Sequence, residues 1–198
     1  MSLMNTEIEV KFCGVDHDQV REKLKTAGAV CASPMQILKR VVISTEQTQK
    51  KGAYLRVREQ DGVSTLTYKQ FDALSVDGAK EIETIVADFD AVAAIFKALE
   101  TAKYSYQESK REVWHLDGVE IVLDEWPWLK PYIEIEGTSE EALKAVAEKL
   151  GFAWDDAVFG DVMVAYRQQY PHLTTDDKIG DLPEVKFGDP LPEMFRSN

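Results

Sequence analysis

The sequence predicts an α+β fold in which eight antiparallel β-strands close into a barrel, or tunnel, with helices packed on its outside. Three observations predict this fold class. Short segments that alternate between apolar and polar residues dominate the chain. Asp-Gly lies between two such segments in "QDGV" and again in "LDGV", which is typical of a β-hairpin. The order strand, helix and three strands occurs twice, so the chain reads as two pseudo-repeated halves.

The alternating segments predict strands at 6–13, 35–44, 53–60, 63–70, 79–87, 106–116, 119–125 and 131–137. Helical periodicity predicts helices over 16–28, 88–100, 139–150 and 156–168. Asp16 is suited to cap the first helix and Gly28 to end it. Thr138 and Glu141 are suited to form a capping box for the third helix, which Gly151 ends. Closure of eight strands into a barrel leaves no exposed sheet edge.

The chain is expected to form one tunnel domain over residues 4–170, followed by a C-terminal tail or lid over 171–198. A length of 198 residues is enough for one domain with a sizeable core. The last 28 residues are rich in Pro, Gly and Asp, which favours a tail or lid over a second domain.

Composition indicates the cell compartment and excludes some classes of binding partner. The two cysteines and the absence of a visible signal peptide favour a cytoplasmic protein. No apolar run reaches the roughly 20 residues of a membrane helix, so no membrane partner is expected. The net charge of -12 argues against binding of a nucleic acid polymer through a broad basic surface. A monomer or a homodimer fits the sequence equally well.

Charged residues occupy every second position of most predicted strands. In "TEIEVKF", Glu7, Glu9 and Lys11 alternate with apolar residues, so this strand has one charged and one apolar face. One such strand alone would be read as the solvated face of a sheet. Because the pattern recurs on many strands, and the helices carry apolar stripes that must be buried, we expect the helices to cover the apolar faces. The charged faces would then line the tunnel.

The expected lining contains acids and bases in nearly equal number. The acids are Glu7, Glu9, Glu81, Glu83, Asp124, Glu134 and Glu136, and the bases are Lys11, Arg40, Arg56, Arg58, Lys69 and Arg111. Guanidinium and ammonium groups match phosphate oxygens. Clustered carboxylates without His or Cys match the hard cations Mg²⁺ and Mn²⁺. The combination predicts a highly charged phosphate ester or anhydride that is bound together with a divalent metal.

These motifs together resemble the CYTH superfamily, the triphosphate tunnel metalloenzymes, which is named after CyaB-type (class IV) adenylate cyclase and thiamine triphosphatase. The motifs are Glu-x-Glu-x-Lys at 7–11, the pair Arg56 and Arg58, "TYK" ending at Lys69, "EIE" at 81–83 and "YIEIEG" at 132–137. They extend over about residues 6–151. The resemblance implies an eight-stranded tunnel that is open at both ends, a triphosphate substrate, and Mg²⁺ or Mn²⁺ as cofactor.

The resemblance also implies residue roles. It assigns metal binding to Glu7, Glu9, Asp124, Glu134 and Glu136. It assigns phosphate binding to Lys11, Arg40, Arg56, Arg58, Lys69 and Arg111, and catalysis to Lys11, Glu81 and Glu83. Lys186 in "PEVKF" is expected to fold back over one tunnel end and contact phosphate.

Two positions depart from the family pattern. Where the family often has Lys-x-Arg, this chain has Ser109, Lys110 and Arg111, and strand parity sends Lys110 outward. The usual Leu-Gly before the last acidic strand is replaced by "WPWLKP", whose Trp126 and Trp128 are interpreted as an apolar corner between strands.

Three functions fit the sequence. The first is metal-dependent hydrolysis of tripolyphosphate, thiamine triphosphate or a nucleoside triphosphate. The second is cyclisation of ATP to cyclic AMP and pyrophosphate, which would use the same lining. The third is a non-catalytic module that binds polyphosphate or an organic phosphate. We favour hydrolysis because water is its nucleophile and no base-reading motif is evident, and seven carboxylates are of little use to a pure anion binder.

Overall fold

A computed structural model of the chain describes residues 4–99 and 102–196. The strands are β1 (Asn5–Cys13), β2 (Val30–Ser44), β3 (Ala53–Gln60), β4 (Val63–Phe71), β5 (Ala79–Val86), β6 (Lys103–Leu116), β7 (Val119–Glu125), β8 (Tyr132–Gly137) and β9 (Glu184–Val185). The helices are α1 (His17–Ala27), α2 (Glu46–Lys50), α3 (Phe89–Lys97), α4 (Glu140–Lys149) and α5 (Met163–Gln169). Short 3-10 turns lie at Trp154–Asp156, Ile179–Asp181 and Glu193–Phe195.

Eight strands form a closed antiparallel barrel, which confirms the predicted fold class. The strand order is β2-β3-β4-β5-β1-β8-β7-β6, and pairing of β2 with β6 closes the ring. β2 and β6 are longer than predicted because they pair from Val30↔His115 to Ser44↔Lys103. Irregularities of register between Cys31 and Gln36 break the alternation there, so sequence periodicity missed the first part of β2. β9 adds a short parallel pairing to β6.

The apolar faces of β1, β8 and β3 point outward and lie under helices, whereas Ile82 on the outer face of β5 and Ile85 near the end of that strand are exposed. Val10, Ile133 and Ile135 are fully buried and share one core cluster with Leu24 of α1 and Leu143 of α4. On the other side of the barrel, Val57 forms a smaller cluster with residues of α3. Because side chains alternate along a strand, burial of these residues directs the charged residues between them into the barrel.

The helix boundaries follow their caps. The Asp16 side chain accepts hydrogen bonds from the backbone N–H groups of Asp18 and Gln19, as predicted, and Gly28 ends α1 in the left-handed conformation. α4 is capped by Ser139, whose hydroxyl accepts from Ala142 N, so the predicted capping box at Thr138 is wrong by one residue.

The predicted helices 88–100 and 156–168 differ from the structure in length. Helix 156–168 is reduced to α5, because the segment before it is extended and Val158 bridges to the backbone of Lys11. Residue 100, the predicted end of helix 88–100, lies outside the described residues, as do residues 197–198 of the predicted tail.

The C-terminal segment, residues 171–196, packs against the barrel domain. Phe195 is buried, stacks on Tyr166 of α5 at 5.0 Å between ring centroids, and lies 5.9 Å from Trp128. Trp128 Nε1 donates a hydrogen bond to the carbonyl of Asp189. The segment thus shares a hydrophobic core with α5 and with the corner between β7 and β8.

None of the helices in the described part of the chain is long and apolar enough to cross a membrane.

Candidate active site

The barrel interior forms a cavity of about 370 Å³ between two walls of opposite charge. β5, β1 and β8 are neighbours and carry the acids, whereas β6, β2 and β3 lie opposite them and carry the arginines. The lining acids from the first wall are Glu7, Glu9, Glu81, Glu83, Glu134 and Glu136. The lining arginines from the second wall are Arg40, Arg56, Arg58 and Arg111. This separation of charge could not be deduced from the sequence without the strand order.

Three carboxylates of the acidic wall converge on one point. Cross-strand pairing places Glu9 of β1 opposite Glu136 of β8, with Glu134 two residues away on β8. Each of the three offers an oxygen, and these oxygens lie within 4.8 Å of one another. A group of carboxylate oxygens this close fits a hard divalent cation such as Mg²⁺ or Mn²⁺. Glu7, the fourth acid that was predicted on these two strands, lines the same cavity.

Two lysines lie among these acids instead of on the arginine wall. Lys11 Nζ lies 3.1 Å from Glu9 Oε1 and 2.9 Å from Glu134 Oε2. Lys69 Nζ lies 2.5 Å from Glu7 Oε2 and 3.1 Å from Glu9 Oε2. Burial alone would lower the pKa of Lys11, but the carboxylates of Glu134 and Glu9 raise it above its usual value, so the ammonium stays charged.

Negative charge is nevertheless left over on the acidic wall. Burial and the neighbouring carboxylates, Glu134 first among them, raise the pKa of Glu136 to about 8. Burial and the Glu7 carboxylate likewise raise the pKa of Glu81 to about 7. Groups that resist ionisation because of nearby like charges gain from a bound cation. The crowding of carboxylates that raises these pKa values is the same crowding that fits a cation on the acidic wall.

The arginine wall offers unused hydrogen-bond donors. Arg40 donates from Nη2 to Ser109 Oγ at 2.7 Å, and its guanidinium lies 4.4 Å from the Trp126 ring centroid. Arg56 donates from Nη2 to Thr67 Oγ1 at 3.3 Å. The Nε atoms of both arginines are buried and have no hydrogen-bond partner among the residues that the structure describes. Such buried N–H groups are suited to donate hydrogen bonds to the oxygens of an anion.

The positive charges of the arginine wall repel one another, which favours binding of an anion there. The Arg56 charge and burial lower the pKa of Arg58 well below its usual value. Burial, followed by the charges of Arg56 and Arg111, lowers the pKa of Arg40 to about 10. A bound polyanion would relieve this repulsion, because it supplies the countercharge that the wall lacks.

Asp124 and Arg111 form a buried pair at the edge of the arginine wall. Arg111 donates from Nε and Nη2 to Asp124 at 2.8 Å and 2.6 Å, and the Tyr132 hydroxyl donates to the same carboxylate at 3.1 Å. Asp124 has no exposed surface and is not part of the cavity lining. The structure therefore places Asp124 behind Arg111, apart from the three converging carboxylates.

Three further residues lie where the tunnel meets solvent or outside it. Glu83 accepts from Thr67 Oγ1 at 2.7 Å and lies 3.7 Å from Arg56 Nη2, at the cavity wall. Lys186 pairs with Glu184 at 2.8 Å and lies over the Tyr106 ring, away from the cavity lining. Lys110 pairs with Glu125 at 3.0 Å and does not line the cavity, as its parity predicted.

The cavity lining also contains polar residues that the sequence did not single out. Glu120 of β7 lies opposite Glu136 in the strand pairing. It has the parity of Asp124, so the alternation of β7 could have identified it. Asp161, Arg167 and Lys178 come from the chain after the last barrel strand and line the same cavity. No periodic signal marks these three, because they lie in loops and in one short helix.

The comparisons with known proteins agree with this fold. The family model of the CYTH domain matches residues 5–155. The barrel is that of the CYTH tunnel proteins, and the chain belongs to the CYTH family. No curated protein matches the chain with significance.

Several solved structures share the fold. The PH1012 protein of Pyrococcus horikoshii is 24% identical, with a TM-score of 0.66, over 76% of this chain and 93% of that chain. A Vibrio parahaemolyticus protein named as a candidate adenylate cyclase is 16% identical, with a TM-score of 0.67, over 82% and 98%. Hippeastrum HpAC1, a candidate adenylyl cyclase described as having a dominant triphosphatase activity, is 14% identical, with a TM-score of 0.53, over 82% and 96%.

Proposed function

We propose that the protein is a triphosphatase that depends on Mg²⁺ or Mn²⁺ and hydrolyses a triphosphate bound inside the barrel. The observation that carries this proposal is the pair of opposed walls: converging carboxylates on one side, and arginines with unused buried donors on the other. A metal binder needs no arginine wall, and a simple anion binder needs no converging carboxylates. A polyphosphate chain bridged to metal uses both.

Each residue has a role in this proposal. Glu9, Glu134 and Glu136, with Glu7 beside them, hold the cation. That cation supplies neutralisation of phosphate charge and polarisation of the phosphoryl group. The arginines and Lys69 bind phosphate oxygens, and Asp124 acts through Arg111 by fixing the orientation of its guanidinium.

Lys11 and Glu81 are assigned to the chemical step, and Glu83, the third residue predicted to be catalytic, is assigned to the positioning of Arg56. Lys11 lies between Glu9 and Glu134, so its ammonium is held next to the proposed metal site. Glu81 has a pKa near neutrality, raised by burial and by Glu7, which suits a group that accepts a proton from water. Glu83 shares Thr67 with Arg56 and so orients that arginine.

Related proteins leave two reactions open for this type of tunnel. HpAC1 is described as having a dominant triphosphatase activity, and the Vibrio parahaemolyticus protein is named as a candidate adenylate cyclase. We favour hydrolysis for this chain because it requires water alone as nucleophile. Both cysteines are free thiols, which is consistent with action in the cytoplasm, as a monomer or a homodimer.

The test is a product assay with a panel of triphosphates. Tripolyphosphate, thiamine triphosphate and ATP are each incubated with Mg²⁺, Mn²⁺ or a chelator, and orthophosphate, pyrophosphate and cyclic AMP are measured. We expect metal-dependent release of orthophosphate, its loss in Glu9→Gln, and full activity in the control Glu148→Gln on the exposed face of α4. Cyclic AMP and pyrophosphate without orthophosphate would show a cyclase, and metal-independent binding without turnover would show a receptor.

A further inference from the structure

The outer face of α3 is apolar, although it lies on the protein surface. Ile95 and Leu99 are 62% and 52% exposed. The other exposed apolar residues of this helix and of the two positions after it are Ala91, Ala94 and Ala98. By contrast, the exposed positions of α1 are all polar: Asp18, Gln19, Glu22, Lys23, Lys25 and Thr26. A helix that is apolar on both its inner and its outer face is normally buried on both sides.

The inner face of α3 is already fixed on its own barrel. Phe89, Val92 and Phe96 share one core cluster with Val57 of β3 and Leu66 of β4. Rotation of the helix to bury its outer face would expose these residues instead. The outer face of α3 therefore points away from the barrel, and only another molecule can cover it.

The outer face of β5 is a second exposed surface, and it lies beside this cluster. Glu81 and Glu83 line the cavity, so Ile82 and Thr84 between and after them point outward. Strand pairing places Thr84 next to Leu66, the β4 residue that packs with α3. Ile82 is 37% exposed and belongs to none of the three core clusters that the described residues form.

Charge indicates which partner fits these two surfaces. The chain has a net charge of -12, so two copies repel each other over most of their surface. However, α3 has no charged residue between Asp90 and Lys97, and the outward positions of β5 from Ile82 to Val86 are also uncharged. Two acidic molecules can therefore approach each other here without repulsion, whereas a basic partner would be attracted to the acidic remainder of the surface.

We propose that two copies of the chain form a symmetric dimer in which the outer face of α3 of each copy packs on the outer face of β5 of the other. The contact is self-complementary, because each copy supplies one apolar helix face and one uncovered strand face. It buries Ile95 and Leu99 against Ile82 of the partner subunit. Since Ile82 lies behind Glu81 and Glu83, the dimer covers the back of the acidic wall. The proposal does not depend on the triphosphatase function.

Charged substitutions at exposed isoleucines test the two surfaces separately. Ile95→Glu changes α3 and Ile82→Lys changes β5, while Ile37→Glu, at an exposed position of β2, serves as the control. Because all three positions are exposed, we expect every variant to fold, and equal thermal midpoints of the variants and wild type verify this. If Ile82→Lys does not fold, Thr84→Lys on the same face of β5 is measured in its place.

Sedimentation velocity and light scattering over a dilution series measure the dissociation constant of the dimer. We expect wild type and Ile37→Glu to dimerise with the same constant. Ile95→Glu and Ile82→Lys should each raise it at least about tenfold, because each places an unpaired charge in the interface. The double variant Ile95→Glu/Ile82→Lys should recover most of this loss, because the introduced carboxylate of one copy then meets the introduced ammonium group of the other.

Three results would overturn the proposal. The first is a wild type that stays monomeric throughout the dilution series, which would leave these surfaces to a different protein or to solvent. The second is a dimer that Ile95→Glu does not weaken, which would show that another surface of the chain forms it. The third is a dimer that Ile95→Glu weakens but Ile82→Lys does not, or that the double variant fails to restore. In that case α3 packs on something other than β5, such as α3 of the partner subunit.

Discussion

Replacement of Glu136 by Gln should stabilise the metal-free protein while it removes the response to metal. In the fold, burial and the carboxylates around it raise the pKa of Glu136 from its ordinary 4.5 to about 8. Below pH 4.5 the carboxyl is protonated in both the folded and the unfolded chain, so it has no effect on stability. As the pH rises, the unfolded chain ionises first, and the folded state loses stability until about pH 8.

The size of this loss follows from the shift in pKa. Each unit corresponds to about 1.4 kcal/mol, so the rise from 4.5 to about 8 sets an upper limit of about 5 kcal/mol. Because the side chain is partly exposed to water in the tunnel, we expect about 2 kcal/mol between pH 5 and pH 9. Gln cannot ionise, so the variant should keep that stability at high pH.

Urea denaturation of wild type and Glu136→Gln at several pH values, with and without Mn²⁺, measures this effect. Wild type should lose stability from pH 5 to pH 9 without metal and recover it with Mn²⁺, which favours the ionised carboxylate. The variant should show a flatter pH profile and little response to Mn²⁺. Glu148→Gln, at an exposed site on α4, should behave like wild type. Identical pH profiles of wild type and Glu136→Gln would show that Glu136 does not have a raised pKa in the folded protein.

Three further substitutions test the other parts of the site. Arg56→Ala should weaken triphosphate binding about 10- to 100-fold, because it removes a charge-assisted hydrogen bond. Calorimetry measures the affinity, with Lys110→Ala on the outer face of the barrel as the control. Equal affinities of Arg56→Ala and wild type would exclude a phosphate contact at Arg56. Asp124→Asn leaves Arg111 without its buried partner and should lower the free energy of unfolding in urea by about 3 kcal/mol. The Mn²⁺ affinity should change less than about threefold, because Asp124 lies apart from the proposed metal ligands. Loss of Mn²⁺ binding in this variant would show that Asp124 is a metal ligand. Phe195→Ala should cost about 3 kcal/mol in the same assay, because Phe195 is 2% exposed, and an unchanged midpoint would show that the C-terminal segment does not contribute to folding.

The parts of the fold that repeat locally could be predicted from the sequence. Alternation in "TEIEVKF" gave the strand, its apolar face and its charged face, because the period of two is fixed by backbone geometry. The apolar stripes of the predicted helices indicated that the apolar face of the strand packs against helices. A closed barrel could then be predicted, because the apolar faces of the strands are covered by helices and the charged faces line the interior.

Features that depend on contacts distant in sequence could not be predicted. The alternation of β7 directs Asp124 to the inner face, but only the pairing of β6 with β7 shows that Arg111 takes its carboxylate. Lys186 stands in a segment without periodicity, so the sequence could not show that Glu184 holds it outside the tunnel. Asp161 and Ile179 reach the cavity through loops, whose course is set by packing and not by any repeating pattern.

In the proposed function, the acidic wall binds a divalent cation that bridges to a triphosphate on the arginine wall. A crystal structure with Mn²⁺ and a non-hydrolysable triphosphate, with the metal located by anomalous scattering, tests this most directly. We expect an anomalous peak among the carboxylates of Glu9, Glu134 and Glu136, with phosphate oxygens on Arg40 and Arg56. Mn²⁺ bound elsewhere, or a triphosphate bound on the outer surface of the barrel, would contradict it.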